Sequence, residues 1–334
     1  MDPMNAVTRS RLAPAVRLLG VRAVVALPVT LAVSAAIFFI ASLSPLDPLT
    51  VYLGDGYQSA TLSQRTAVRE AYNTDGSWYT AWWRWFTELC QGDLGWSSTQ
   101  SLPVSTVLTE RLPFTLGLSL AAMVASALIG TLVGTLAGMR RGGPLDQTCS
   151  ALSAALAAVP PFVVSLVLVS VVAVSLGWFP TSGAAAPGDP YTARGILTHG
   201  FLPFVALTIS QIPWLLLTTR TAVVEASSSD AVRAARARGL HGWALLRGHI
   251  LPTSVAPTLA LLGTRLPEVI AGAAIVETVF GWPGLASVLV DSAVALDFPL
   301  LAALTVGAAF AVLLGSAAAD AAATAIDPRI GAMS

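Results

Sequence analysis

Residues 219–252, TRTAVVEASSSDAVRAARARGLHGWALLRGHILP, decide how this chain is read. They form a polar, arginine-rich insert between two apolar runs, about 200–218 and 255–279, each long enough to cross a bilayer as a helix. Such an insert lies in water beside the membrane, and what it docks against is the functional question. Ser227-Ser228-Ser229-Asp230 offers hydroxyl and carboxylate caps, Ser227 and Asp230 having the spacing of a loose capping box. Residues 231–238 are mostly strong helix formers with Arg236 and Arg238 in the last turn, where cations suit the macrodipole. Gly239 can take the left-handed conformation that ends a helix. A second short helix, about 242–249, then leads to Pro252 at the mouth of the next apolar run. A basic helix could lie on anionic lipid. Between Ala226 and Gly239, however, the side chains are nearly all Ala, Ser, Arg and Asp, with only Val232 larger, and that small-residue surface suits another protein's groove better.

The whole chain agrees with a membrane setting. It has 334 residues, 55% hydrophobic and 11% charged, with a mean hydropathy of +0.73, which points to an all-α polytopic membrane protein. All 18 basic residues are arginine. Without a lysine the chain cannot complete a GxxxxGK[ST] phosphate loop, so it binds no ATP through one of its own. Cys90 and Cys149, and His199, His241 and His249, are scattered without metal-ligand spacing.

In chain order, arginines in residues 1–22 precede an apolar run at 23–44, read as a first span with a cytoplasmic N-terminus. Residues 45–113 mix charges with Trp78, Trp82, Trp83, Trp85 and Trp96 and read as an extracytoplasmic segment. Its tryptophans would form either an interfacial belt or the core of a small subdomain. Residues 114–334 read as a core with five further spans, at about 114–139, 149–176, 200–218, 255–279 and 300–325. Pro160-Pro161 predicts a kink in the third, and His199 closes an outer loop that starts at Trp178. With six transmembrane helices and both termini inside, cytoplasmic segments and their flanks carry Arg9, Arg11, Arg17, Arg22, Arg140, Arg141, Arg220, Arg233, Arg236, Arg238, Arg247 and Arg329. The outer segments carry only Arg65, Arg69, Arg84, Arg111 and Arg194, which satisfies the positive-inside rule.

The pattern Arg233-Ala234-Ala235, three residues, Gly239, nine residues, His249-Ile250-Leu251-Pro252 resembles the EAA loop of permease subunits of bacterial ABC importers. Asp230, Arg236 and Gly239-Leu240, the run Val276-Glu277-Thr278-Val279-Phe280 with Trp282-Pro283-Gly284-Leu285, and Asp297-Phe298-Pro299 narrow it further. Together with Gly92-Asp93-Leu94-Gly95, Glu110-Arg111-Leu112-Pro113, Gly177-Trp178-Phe179-Pro180 and Asp327-Pro328-Arg329, they resemble the B-type permeases of the dipeptide/oligopeptide/nickel family. Ser228-Ser229, Ala231 and the run Ser44-Pro45-Leu46-Asp47-Pro48 depart from that pattern.

The resemblance implies a type I ABC importer permease: not an enzyme, but half of a translocation pathway in the bacterial plasma membrane for di- or oligopeptides or a related solute. Loop 219–252 would be the coupling helix seated in an ATPase subunit through Asp230, Arg233, Ala234, Ala235, Arg236, Arg238, Gly239 and Leu240, with His249, Leu251 and Pro252 at its exit. Expected partners are a second, homologous permease, two ATPase subunits, which would hold ATP and Mg, an extracytoplasmic solute-binding protein and membrane lipid. No cofactor, metal or nucleic acid is expected on this chain. Arg265 and Glu268, three residues apart and so on one helix face, and Glu277 are the candidates for lining or gating the pathway. A stand-alone secondary transporter, or the same architecture importing nickel, siderophore or sugar, are the alternatives. The first would need midplane ionisable groups beyond the Arg265/Glu268 pair and an internal repeat, neither evident here.

Overall fold

The computed structural model describes residues 24, 27–40, 42–43, 60–72, 77–295 and 297–326. The N-terminal arginines, the run at 44–48 and residues 327–329 lie outside the described residues, and so does the side chain of Glu268. The chain is helical: α1 Leu27–Ile40, α2 Leu62–Tyr72, α3 Trp78–Cys90, a two-residue hairpin of β1 Trp96–Ser97 and β2 Leu102–Pro103, then α4 Val104–Met139. There follow α5 Pro144–Ala157, α6 Pro161–Val167 running into a π-helix at Leu168–Ser175, and α7 Ala193–Ser228. Next come α8 Asp230–Ala237, α9 Gly242–Leu245 with a π-turn Leu246–Ile250, α10 Leu251–Phe280, α11 Leu285–Ala295 and α12 Phe298–Ile326. Among the described residues three helical stretches are long and apolar enough to cross a membrane, Val104–Met139, Ala193–Ser228 and Gly242–Gly263, or up to five if each of two sharply bent helix pairs is one span, against the six expected.

Several boundaries differ from the sequence expectation, among them the end of α7, which runs to Ser228 instead of stopping near Thr218. Helix α4 starts at Val104, not near Phe114, and runs through Pro113. Tertiary packing explains it, because Val104 and Val107 are fully buried against Val288, Leu300, Ala303 and Leu304. Helix α7 starts at Ala193, so His199 is helical, not part of a loop; Thr192 caps the helix by accepting from the Gly195 amide at 3.1 Å. At Pro160-Pro161 the expected kink is a 98° bend between α5 and the α6/π-helix segment. Proline has no amide to donate, and Pro160 sits in the extended conformation that ends a helix.

The structure divides into two compact units. One comprises Val24–Thr115 and Pro283–Ala311. In it the tryptophan segment serves both readings. Trp85 is buried against Phe38 and Ala302, and Trp82 donates its indole NH to Ser34 Oγ at 3.0 Å, so this half of α3 is a core. Tyr79 and Trp83 remain 59% exposed, as a belt would be. The hairpin is anchored by Asp297, which is 1% exposed. Its Oδ2 accepts from Ser97 Oγ (2.6 Å), Thr99 N (3.0 Å) and Thr99 Oγ1 (2.8 Å), while Gly95 closes directly on Pro299.

The other unit holds Leu116–Trp282 and the end of α12. In it α4 approaches α7 closely. Gly130, Gly134 and Gly138 recur every fourth residue on α4, and a Cβ on Gly134 would lie 2.6 Å from the Leu216 carbonyl oxygen and 2.9 Å from Thr219 Cβ. Small residues at this spacing let two helix backbones touch, which is how helices associate where burial from water supplies no drive.

Candidate functional site: the polar loop and its supports

Helix α8 has eight residues, too few to hold itself in water. Its order therefore comes from its ends and its one buried face. At the N-terminus Ser229, not Ser227, is the cap: its backbone is extended and its Oγ accepts from Val232 N at 3.4 Å. Ser227 and Ser228 still belong to α7, which has to finish before a cap can form. At the C-terminus Gly239 has φ +86°, its amide reaches Arg236 O at 2.9 Å, and the Leu240 amide reaches Ala235 O at 3.1 Å. That pair of bonds is a Schellman motif. Val232 and Ala235, three apart, are fully buried with Val223, Ala226, Leu245, Leu246 and Ile250, and Leu240 packs on the same cluster.

The remaining faces of α8 are solvent-facing. Asp230, Ala231, Arg233, Ala234, Arg236, Ala237, Arg238 and Gly239 are exposed, with Asp230 ion-paired to Arg233. The outward surface is thus a stripe of alanines flanked by arginines, followed by Trp243, 67% exposed. Of the loop residues singled out from sequence, all but Ala235 and Leu240 present on this surface. Trp243 was missed, although a lone aromatic in a small-residue loop was a visible signal.

The loop exit is helical throughout. Pro252 lacks the amide that would bond Gly248 O in an α-helix, and the turn before it widens to π geometry over Leu246–Ile250. His249 and Leu251 lie at this joint, half-buried, and Ile250 is buried. A second support was not legible from sequence. Asp146, at the first turn of α5, takes a two-pronged bond from Arg220 of α7, Nε to Oδ1 and Nη2 to Oδ2, both 2.8 Å. It also accepts from Gly142 N at 2.9 Å. The two residues are 74 apart, and nothing in the local pattern links them.

Farther along α10, Arg265 places its guanidinium 4.1 Å from the ring centre of Trp214 of α7. Glu277 is 1% exposed, and its carbonyl accepts from Trp282 N at 2.9 Å, closing the left-handed cap at Gly281. Trp282 in turn lies on Gly200, where a Cβ would come within 2.9 Å of the indole. The structure does not bring Arg265 and Glu277 together, since they sit twelve residues apart on one helix, more than three turns.

The chain is 31% identical over 310 residues to the oligopeptide transport system permease protein AppB of Bacillus subtilis, covering 92% of this chain and 97% of that one. It is 28% identical over 310 residues to a putative peptide permease protein of Brucella suis, again covering 92% and 97%. To a probable peptide ABC transporter permease protein of Sinorhizobium fredii it is 31% identical over 299 residues, covering 88% and 92%. Residues 130–332, which include the loop, its supports and α10, match the family model described as binding-protein-dependent transport system inner membrane component. By that match and those relatives the chain belongs to the family of binding-protein-dependent transport system inner membrane components: it is a membrane-embedded permease subunit and not an enzyme.

Proposed function

We propose that this chain is half of the translocation pathway of an ABC importer for short peptides, with loop 219–252 as the lever on which a partner ATPase acts. The peptide substrate class follows the names carried by its relatives. In this reading six helices span the membrane with both termini in the cytoplasm, in keeping with the arginine distribution. A second permease of the same family completes the pathway, an external binding protein delivers the peptide, and ATP and Mg sit in two ATPase subunits. Arg265, Glu268 and Glu277 are the charged groups of α10; in this reading Arg265 lines the pathway with Glu268, and the buried Glu277 belongs to its gate.

The observation that carries the proposal is the division of α8 into two faces. Val232 and Ala235 fasten it to its own chain, while Ala231, Ala234 and Ala237 are exposed, with none of the described residues covering them. Small side chains let a helix lie deep in a groove, and the rigid continuation through Leu246–Ile250 into α10 carries displacement to the apolar bundle. The test is a pair of variants in the reconstituted complex. Ala234→Trp fills the groove and Gly239→Pro breaks the cap; both should insert in the membrane yet lose binding-protein-stimulated ATP hydrolysis and peptide uptake. Stimulation unchanged in both variants overturns the proposal.

A further inference from the structure

A second feature of the loop is not explained by the ATPase seat. On one flank of α8, between its buried face and its outward alanine stripe, opens a cleft of about 670 Å³. Its basic wall is Arg141 from the α4–α5 turn, Arg233 and Arg236 from α8, and His241; its other wall includes Met139, Val224, Leu245 and Ile250. Among the described residues no carboxylate lines it. The nearby Asp146 is turned away into its bond with Arg220, and Asp230 engages only Arg233. Among the described residues Arg141 and Arg236 therefore carry no ion pair, and the Ser227 hydroxyl stands beside them as a further donor, while Ser228 spends its own on Glu225 O.

The position of the cleft selects its occupant. Gly138 and Met139 close the apolar run of α4, and Val224 lies in the last turns of α7, so in the six-span reading proposed above the cleft opens beside the points where two apolar helices leave the bilayer. That is the depth of lipid headgroups, and a site with one cationic and one apolar wall fits a molecule with a phosphate and an acyl chain. We propose that this cleft binds the headgroup of an anionic phospholipid, which bridges the α4–α5 turn to α8 and makes the set of the coupling loop depend on lipid. This rests on the reading of 219–252 as a coupling loop. A carboxylate of the ATPase fits less well, because it leaves Met139, 46% exposed, uncovered and approaches from the alanine side.

The test uses the assembled complex in nanodiscs of phosphatidylcholine alone or with phosphatidylglycerol, and native mass spectrometry of the complex after delipidation. Retained phosphatidylglycerol should bind about fivefold more weakly in Arg141→Gln and again in Arg236→Gln, the effect of one arginine at a membrane surface. Arg140→Gln, in the same turn but not lining the cleft, should retain it as the wild type does. Phosphatidylglycerol should raise binding-protein-stimulated ATP hydrolysis in the wild type and in Arg140→Gln, and not in Arg141→Gln. Equal losses in Arg140→Gln, or inorganic phosphate restoring the increment in phosphatidylcholine, overturn the lipid site. So does dissociation of the ATPase from Arg141→Gln in phosphatidylcholine, which assigns the arginines to the ATPase. If the wild type shows no binding-protein-stimulated hydrolysis in any lipid, the coupling reading fails, while the retention measurement still decides the cleft.

Discussion

Substitutions at Gly239 separate backbone geometry from bulk. The residue has φ +86°, and a Cβ built on it meets nothing within 4 Å, so replacing it costs only what the left-handed backbone costs. For alanine that is about 1–2 kcal/mol, for asparagine less, because its short polar side chain tolerates this conformation. Proline is worse by about 3 kcal/mol or more, since its φ is fixed near the opposite sign and the bond from Gly239 N to Arg236 O is lost. An eight-residue helix has little in reserve. Against its buried Val232 and Ala235 and a Ser229 cap of about 1 kcal/mol, a loss of 1–2 kcal/mol shifts the ordered fraction of the loop by about 5- to 30-fold. Binding-protein-stimulated ATP hydrolysis in the reconstituted complex should thus fall in the order Gly, Asn, Ala, Pro. Hydrogen exchange at 230–240 should rise in the same order while that of α4 stays fixed. Asparagine behaving worse than alanine, so that activity tracks side-chain size, would refute the cap as the cause.

Three further outcomes follow from the packing. Gly134→Val should cost about 1–3 kcal/mol of resistance to denaturation in detergent, because backbone atoms on α7 cannot yield. Gly117→Ala in the same helix, with open space around it, should be neutral or stabilising by up to about 1 kcal/mol. Asp146→Ala should destabilise by about 3 kcal/mol, the lower end for one partner of a buried pair since Arg220 is 28% exposed, and the double variant with Arg220→Ala should recover part of it in a double-mutant cycle. Asp297→Asn should weaken the bonds from Ser97 and Thr99 by about 2 kcal/mol, seen as faster hydrogen exchange confined to the 96–103 hairpin.

What the sequence made legible was whatever depends on composition and short-range pattern. Long uncharged runs announced the apolar helices, and Gly239 announced the end of α8 because few residues take positive φ. Two kinds of information escaped. Boundaries set by distant packing, such as α4 beginning at Val104 through Pro113, depend on Val288 and Leu300, far along the chain. Pairings such as Arg220 with Asp146 and Asp297 with Ser97 have no local signature, because the partners are 74 and 200 residues apart. The Gly130, Gly134 and Gly138 stripe is a third case: its every-fourth-residue spacing was in plain view, and only its neighbour α7 was needed to give it meaning.

The π-turn at Leu246–Ile250 also has a mechanical side. From Gly242 to Phe280 the backbone is one continuous helix, about 58 Å long at 1.5 Å per residue, its hydrogen-bond ladder interrupted at Pro252, Pro257 and Pro267, with Trp243 at one tip and Glu277 at the other. Pivoted at its middle, a tilt of about 5° swings each tip by roughly 2.5 Å in opposite senses, without any dihedral needing to change. The joint is where such a rod would have backlash, and there Leu246 and Ile250 are held in the same buried cluster as α8. Play at that joint would show first as lost timing between the two tips, before any loss of stability.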